Sequence, residues 1–248
     1  MELQKVKGAY LKVLDTKRKL KHPRCAAIIV AAGTAQRMGG VDKIMTKLGA
    51  KPVIVRTVRA FEDNPLVDEI VVVTRPDLLE EISRHCSVYK KLRLVVCGGD
   101  TRTQSVQNGL DAIGADVKVV AVHDGARPLV TQDIITKTIE KAAKFGAAAP
   151  AVPVKDTIKV STSGGVDDTP DRKTLFAVQT PQVFDADLLR AALQNAAEKN
   201  LALTDDCSAV EAIGMKVQLT DGDEENIKIT TPLDLELAQM IWEKRQTV

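Results

Sequence analysis

Ala26-Ala27-Ile28-Ile29-Val30-Ala31-Ala32-Gly33 decides the fold. A short run rich in Ile and Val that stops at a glycine reads as a buried strand followed by a turn. Four more strands are expected downstream at 70–74, 92–97, 117–122 and 147–152, and amphipathic helices lie between them at 53–61, 76–85, 103–113 and 131–145. In the third helix Val106, Leu110 and Ile113 share one face. Strands alternating with helices form right-handed βαβ units and a parallel sheet covered on both faces. The expected fold is α/β: a single Rossmann-like, doubly wound, mostly parallel sheet. In such sheets ligands lie beyond the C-terminal ends of the strands. That draws attention to 33–43, 98–105 and 123–128.

The rhythm breaks between Pro153 and Thr174. Residues 156–160 read as an edge strand, 161–169 are polar and Gly-rich, and 175–178 read as a returning strand. A β-arm projecting at about 153–174 is expected. Beyond it, helices are expected at 186–199 and 205–213 and short strands at 217–219 and 227–229. Pro232 opens a last helix reaching about residue 244. No internal repeat or linker divides the body. The expected organisation is a basic N-terminal extension over 1–22 and one further domain over 23–248.

The 248 residues are 44% hydrophobic and 27% charged, which is globular rather than disordered or coiled-coil. Aromatics are only 3%. The core is therefore built of small and branched aliphatics, and base-stacking platforms for single-stranded nucleic acid are disfavoured. Residues 1–24 hold eight Lys/Arg against Glu2 and Asp15, so a formal net charge of +2 leaves −4 on the rest. A body of that sign is a poor nucleic-acid surface. Cys25, Cys86, Cys97 and Cys207 form no C-x-x-C pair, so buried, reduced thiols and a cytoplasmic setting are expected. No apolar run reaches the ~18 residues of a membrane span, and the basic head lacks the continuous apolar stretch of a signal peptide.

Three strand-end segments carry chemistry. Ala31-Ala32-Gly33-Thr34-Ala35-Gln36-Arg37-Met38-Gly39-Gly40, with Lys43 close behind, combines small residues with two cations, an arrangement suited to a polyphosphate. Its spacing is neither G-x-G-x-x-G nor G-x-x-x-x-G-K-[ST]. Gly98-Gly99-Asp100-Thr101-Arg102 is followed by Ser105, and Asp100 or Thr101 suits an N-cap. In His123-Asp124-Gly125-Ala126-Arg127-Pro128, a strand ending on Asp presents a carboxylate to a divalent cation. Arg127 is placed to clamp it, and His123 reads as a packed strand-end residue. A fourth, scattered set is Asp156-Thr157, Arg172, Gln179-Thr180-Pro181-Gln182, Thr204-Asp205-Asp206 and Asn226-Ile227-Lys228.

Taken in order, from about residue 26 to 238, these segments resemble the 2-C-methyl-D-erythritol 4-phosphate cytidylyltransferases of the non-mevalonate isoprenoid pathway. The matching stretches are Ala31-Ala32-Gly33 with Arg37-Met38, Gly98-Gly99-Asp100 with Arg102 and Ser105, and His123 to Pro128. Pro153-Val154-Lys155-Asp156-Thr157, Thr180-Pro181-Gln182, Thr204-Asp205 and Asn226-Ile227-Lys228-Ile229-Thr230 complete the set. Two positions depart from the family pattern: Ala35 stands where a second glycine is usual, and Asp42, in place of Pro, precedes Lys43. An Asp there is expected to reduce the effective charge of Lys43.

The resemblance implies that a polyol phosphate attacks the α-phosphorus of CTP and pyrophosphate leaves. It assigns Arg37, Lys43 and Lys228 to catalysis, and Ala31, Ala32, Gly33, Gly99, Asp100, Ser105 and Asp124 to CTP. Asp124, Arg127, Thr157, Arg172, Thr180, Thr204 and Lys228 fall to the acceptor. Mg²⁺ or another divalent cation is implied, with Asp124 nearest to it, and so is a homodimer that exchanges arms. A ribitol- or other polyol-phosphate cytidylyltransferase is the alternative within the class, against which Pro153 to Thr157 speaks. A non-catalytic sugar-nucleotide-binding protein on the same fold is the alternative outside it.

Overall fold

In the computed structural model, which describes residues 23–33 and 42–247, the opening run is β1, Cys25–Ala31. It lies inside the main sheet, between the strands Val119–Asp124 and Glu69–Thr74. Short strands β2 (Lys47–Leu48) and β3 (Lys51–Pro52) form a separate hairpin before α1 (Val53–Glu62). Then come β4 (Glu69–Thr74), a 3-10 turn at Pro76–Leu78, α2 (Leu79–Cys86), β5 (Leu92–Cys97), α3 (Arg102–Ala112), β6 (Val119–Asp124), α4 (Gln132–Phe145) and β7 (Ala147–Pro153). The chain continues through β8 (Phe176–Val178), β9 (Gln182–Asp185), α5 (Ala186–Glu198), α6 (Asp206–Ala212), β10 (Gln218–Asp221) and α7 (Pro232–Gln246).

The sheet runs β10-β7-β9-β6-β1-β4-β5, with β8 paired to β7. Strands β6, β1, β4 and β5 are mutually parallel. Alternate residues of each central strand enter opposite cores. Ala27 and Ile29 of β1, Ile70 and Val72 of β4, and Ala121 of β6 pack with α1, α2 and α4. Ala26 and Ile28, Val71 and Val73, and Val120 and Val122 pack with α3, α5 and α6. Burial on both faces is why these strands read as unbroken apolar runs. The expected doubly wound sheet is therefore present, as are its five leading strands and its helices.

Helix starts follow their caps. Thr101, rather than Asp100, accepts from the N–H of Gln104 at 3.1 Å. Asp205 and Thr231 each form a reciprocal capping box, with Ser208 and Asp234, and Pro232 occupies the first turn of α7 as expected. Gly109 lets α3 lie close to the sheet, since a Cβ there would stand 2.5 Å from Ile28 Cγ2. A third, smaller cluster joins Leu48, Val53, Leu129, Ile229, Ala238 and Ile241, with Ile227, Leu235 and Trp242 packed against it. The Arg56 guanidinium covers the Trp242 ring at 4.3 Å.

Four expectations are corrected. Residues 156–160 form no strand: the arm is irregular, with one bridge between Val160 and Asp168. Its polar, Gly-rich tip offers no second strand long enough to pair. The returning strand is present as β8, and Val154 N–H donates to Leu175 O at 3.1 Å to close the base of the arm. Residues 227–229 are not a strand, because Ile229 packs under α7 instead of extending the sheet. Strand β9, missed in the sequence, inserts antiparallel between β6 and β7. Finally, Cys97 is exposed at the end of edge strand β5, while Cys25, Cys86 and Cys207 are buried thiols. Among the described residues no helix is long and apolar enough to cross a membrane. The 1–22 extension and Arg37 lie outside the described residues.

Candidate active site

Strands β1, β5 and β6 deliver their C-terminal ends to one side of the sheet, and a cavity of about 300 Å³ opens there. Ala31, Ala32 and Gly33 line it from β1, Gly99, Asp100 and Ser105 from the β5–α3 turn, and Asp124 from β6. Lys43 and Lys228 complete its rim. Nine residues assigned from the sequence thus meet in one place. Backbone atoms dominate the floor because the side chains are absent or small. A Cβ on Gly98 would stand 2.4 Å from Ala32 Cβ, so the two turns can touch only through glycine. Ser105 ties the second turn by accepting from Gly99 N–H at 3.2 Å and donating to Thr101 O at 3.0 Å.

Asp124 is the electrostatic centre. Its carboxylate lies 2.9 Å from Lys228 Nζ, 3.4 Å from Arg127 Nε and 3.9 Å from Arg102 Nε. Burial opposes its ionisation, yet Lys228, Arg102 and Arg127 outweigh that and hold its pKa down to about 2. It is an anion throughout the physiological range. Arg102 also donates to Asp206 Oδ2 at 2.7 Å, which joins α3 to the start of α6. Gln182 of β9 accepts from the N–H groups of Asp206 and Cys207 and donates to Asp205, fixing that helix start.

Lys228 reaches Asp124 because its segment is pinned on both sides. Arg127 donates to Asn226 O at 2.7 Å, and Ile229 N–H donates to Ala126 O at 2.9 Å. The buried Asn226 amide in turn donates to Gln179 Oε1 and Thr180 O.

Beneath Asp124 runs a directional chain. Asp124 N–H donates to Thr180 Oγ1 at 3.1 Å, and the Thr180 hydroxyl donates to His123 Nδ1 at 3.0 Å. His123 Nε2 stands 3.1 Å from Arg127 O. A carbonyl only accepts, so Nε2 carries the proton and Nδ1 is the acceptor. The ring is fully buried against Phe61, with ring centroids 4.8 Å apart. It is a packed residue, as expected, and not a base open to substrate.

Three assigned acceptor residues stand apart from this cavity. Thr157 and Arg172 are exposed on the arm, where Arg172 donates to Lys155 O at 2.7 Å. Thr204 is exposed just before α6. Arg127 and Thr180 support Asp124 from behind the lining. Asp42, expected to act on Lys43, has a partner of its own. The Asp42 carboxylate is taken by Arg75 at 2.5 Å. Sequence reasoning gave no role to Arg102, Asp206, Gln182 or Arg75. Arg102, Gln182 and Asp206 stood in quoted segments, and Arg75 stood in none.

The family model for 2-C-methyl-D-erythritol 4-phosphate cytidylyltransferase matches residues 25–244. The chain belongs to that family. The protein of that name from Desulforamulus reducens is 46% identical over 224 residues, covering 88% of this chain and 96% of its own. The one from Caldanaerobacter subterraneus subsp. tengcongensis is 43% identical over 224 residues, covering 88% and 99%. Among solved structures, the 4-diphosphocytidyl-2C-methyl-D-erythritol synthase of Anaerococcus prevotii superposes with a TM-score of 0.81 at 32% identity, covering 89% of this chain and 96% of its own. The chain is thus a nucleotidyltransferase of that family.

Proposed function

We propose that the enzyme joins CTP to 2-C-methyl-D-erythritol 4-phosphate, giving the CDP-linked polyol and pyrophosphate. The observation that carries this reading is the single cavity where Lys43, Lys228 and Asp124 face a floor of Ala31, Ala32, Gly33 and Gly99. A polyphosphate needs cations and close backbone there, and a pyrimidine is small enough to be read by backbone groups.

The acceptor phosphate oxygen attacks the α-phosphorus in line. The P–O bond to pyrophosphate breaks, and pyrophosphate carries away the negative charge. A phosphate monoester is largely ionised near neutral pH, so no strong base is needed. Catalysis rests on positioning and charge stabilisation. Lys43 and Arg37 neutralise the α-phosphate as charge builds. Ala31, Ala32, Gly33, Gly99, Asp100 and Ser105 hold the cytidine. Asp124, kept ionised by Lys228, Arg102 and Arg127, orients Lys228 and receives the ribose or the acceptor. Arg127 and Thr180 keep that carboxylate in place.

Among the described residues no group of three or more His, Cys, Asp or Glu side chains forms a metal cage. One ionised carboxylate beside a triphosphate nevertheless fits Mg²⁺, which is commonly bound by one or two carboxylates and substrate phosphates. Asp124 would hold it, and when bound it offsets triphosphate charge.

The arm exposes Ile158, Val160, Val166, Phe176 and Val178. An uncovered strand and apolar surface of this kind call for a partner. The reading extends to a homodimer in which Thr157 and Arg172 reach the partner's acceptor site, with Thr204 supplied in the same subunit. A cytoplasmic setting accords with the three buried thiols.

The test is pyrophosphate release with CTP and Mg²⁺ across a panel of polyol phosphates. Turnover is expected with the methylerythritol phosphate and not with ribitol phosphate. Release with CTP alone, or equal turnover of ribitol phosphate, would overturn the assignment.

A further inference from the structure

Arg75 follows β4 directly, and β4 pairs with β1 so that Thr74 stands opposite Ala31. Its guanidinium therefore lies beside the point where the chain leaves β1. It donates to Gly33 O at 3.3 Å, to Asp42 Oδ2 at 2.5 Å, and through both Nε and Nη2 to Asp77 at 3.1 Å. Asp77 sits in the 3-10 turn and anchors the guanidinium. One planar group thus bridges Gly33 and Asp42.

Asp42 passes this hold to Lys43. Its other carboxylate oxygen accepts from Ile44 N–H at 2.9 Å, and its carbonyl accepts from Thr46 N–H at 2.9 Å. Ile44 is 2% exposed and its own carbonyl accepts from Ile54 N–H at 3.0 Å. The backbone of Lys43 is therefore fixed from the Asp42 side by Arg75 and from the Ile44 side by the core. Lys43 itself lines the cavity, while Arg75 does not.

We propose that Arg75 is a positioning residue for nucleotidyl transfer, holding Gly33 and Asp42 at a set separation so that Lys43 meets the triphosphate. This rests on the function proposed above. Arg75 touches no substrate and acts through Asp42 and Lys43. The fork geometry of arginine is required, because a lysine ammonium cannot bridge three acceptors in one plane. The hydrogen bonds it donates to Asp77 and then Asp42 also keep the guanidinium pKa above its ordinary value, so it is always charged.

The experiment is a cycle of Arg75→Ala and Lys43→Ala, with Arg75→Lys and Asp42→Asn alongside. A misplacement of a catalytic group by about 1 Å costs up to ~10²-fold. Arg75→Ala is therefore expected to lower kcat by about 10-fold or more, with the acceptor KM unchanged. Arg75→Lys and Asp42→Asn should share that loss. In the Lys43→Ala background, Arg75→Ala should change kcat by less than about twofold, because the two act as one unit. Losses that multiply in the double variant, or an Arg75→Ala enzyme within about twofold of wild type, would overturn the proposal. CTP affinity is measured by calorimetry on the same four proteins and needs no turnover. If the wild type transfers to no acceptor, the function reading fails. The cycle is then decided on affinity: non-additive losses support the positioning role, and additive losses refute it.

Discussion

Lowering the pH should weaken the fold through one residue. His123 is fully buried, its Nδ1 accepts from Thr180, and Nε2–H donates to Arg127 O. Burial pushes its pKa down to about 4, against an ordinary 6.5. In the unfolded chain the imidazole takes up a proton as the pH falls through 6.5; in the folded chain it does not until about 4. Stability is therefore full above 6.5 and is lost progressively between 6.5 and 4. A full gap of about 2.5 pH units corresponds to ~3.4 kcal/mol, and roughly 2 kcal/mol of that disappears between pH 7 and pH 5. The assay is urea unfolding at both pH values for wild type and His123→Gln. Glutamine can keep a donor toward Arg127 O but has no proton to gain. Subtracting the variant removes every other titrating group to first order. The wild type should lose about 2 kcal/mol more than the variant over that interval. Equal losses in the two proteins would refute a buried, neutral His123. The consequence reaches the site, because the same chain of hydrogen bonds holds the Asp124 backbone.

Other outcomes follow from the site. Lys43→Ala should reduce kcat by about 10²-fold or more, comparable to removing one oxyanion donor; near-normal turnover would remove Lys43 from the mechanism. Lys228→Ala should raise the Asp124 pKa by deleting its nearest cation, so the acid limb of the kcat/KM profile should move upward; an unmoved profile would separate the two residues. CTP should be preferred to ATP by several kcal/mol, since a purine cannot be seated without leaving polar groups unpaired, and comparable kcat/KM for the two would sink the cytidine reading. Mixed Arg172→Ala and Lys43→Ala chains, each nearly inactive alone, should recover activity on subunit exchange; verified exchange with no recovery would deny Arg172 a role across the interface.

The central fold was legible because its strands are buried on both faces, so composition alone marked 26–31, 70–74 and 117–122. Strand β9 was hidden for a physical reason. Four residues running backwards between β6 and β7 obey no βαβ spacing, and their signal, Gln182-Val183-Phe184-Asp185, overlaps a segment read only for its chemistry. Ile227–Ile229 looked like a strand because an apolar residue repeats every second position, but the partner proved to be α7. In the site, small residues and cations following a strand were readable one segment at a time. What convergence adds is partnership: Arg102 with Asp206, Arg75 with Asp42, and Asn226, behind Lys228, with Gln179 join residues 33 to 104 positions apart. No local pattern carries such pairs, and Asp42 was consequently read as a neighbour of Lys43 instead of a ligand for Arg75.

The chain has a single tryptophan. Trp242 belongs to neither of the two large cores: it packs on the cluster that also takes Ile227 and Ile229, the residues on either side of Lys228. Its intrinsic emission is therefore a local gauge and not an average over the molecule. Quenching or a spectral shift on adding a nucleotide would track how firmly α7 and the Lys228 segment seat on α1, while the turns at Gly33 and Gly99 stay dark in the same trace. A melting curve followed by that emission would likewise time the undocking of α7, and comparison with far-ultraviolet circular dichroism would show whether the Lys228 side of the active site comes apart before the sheet does.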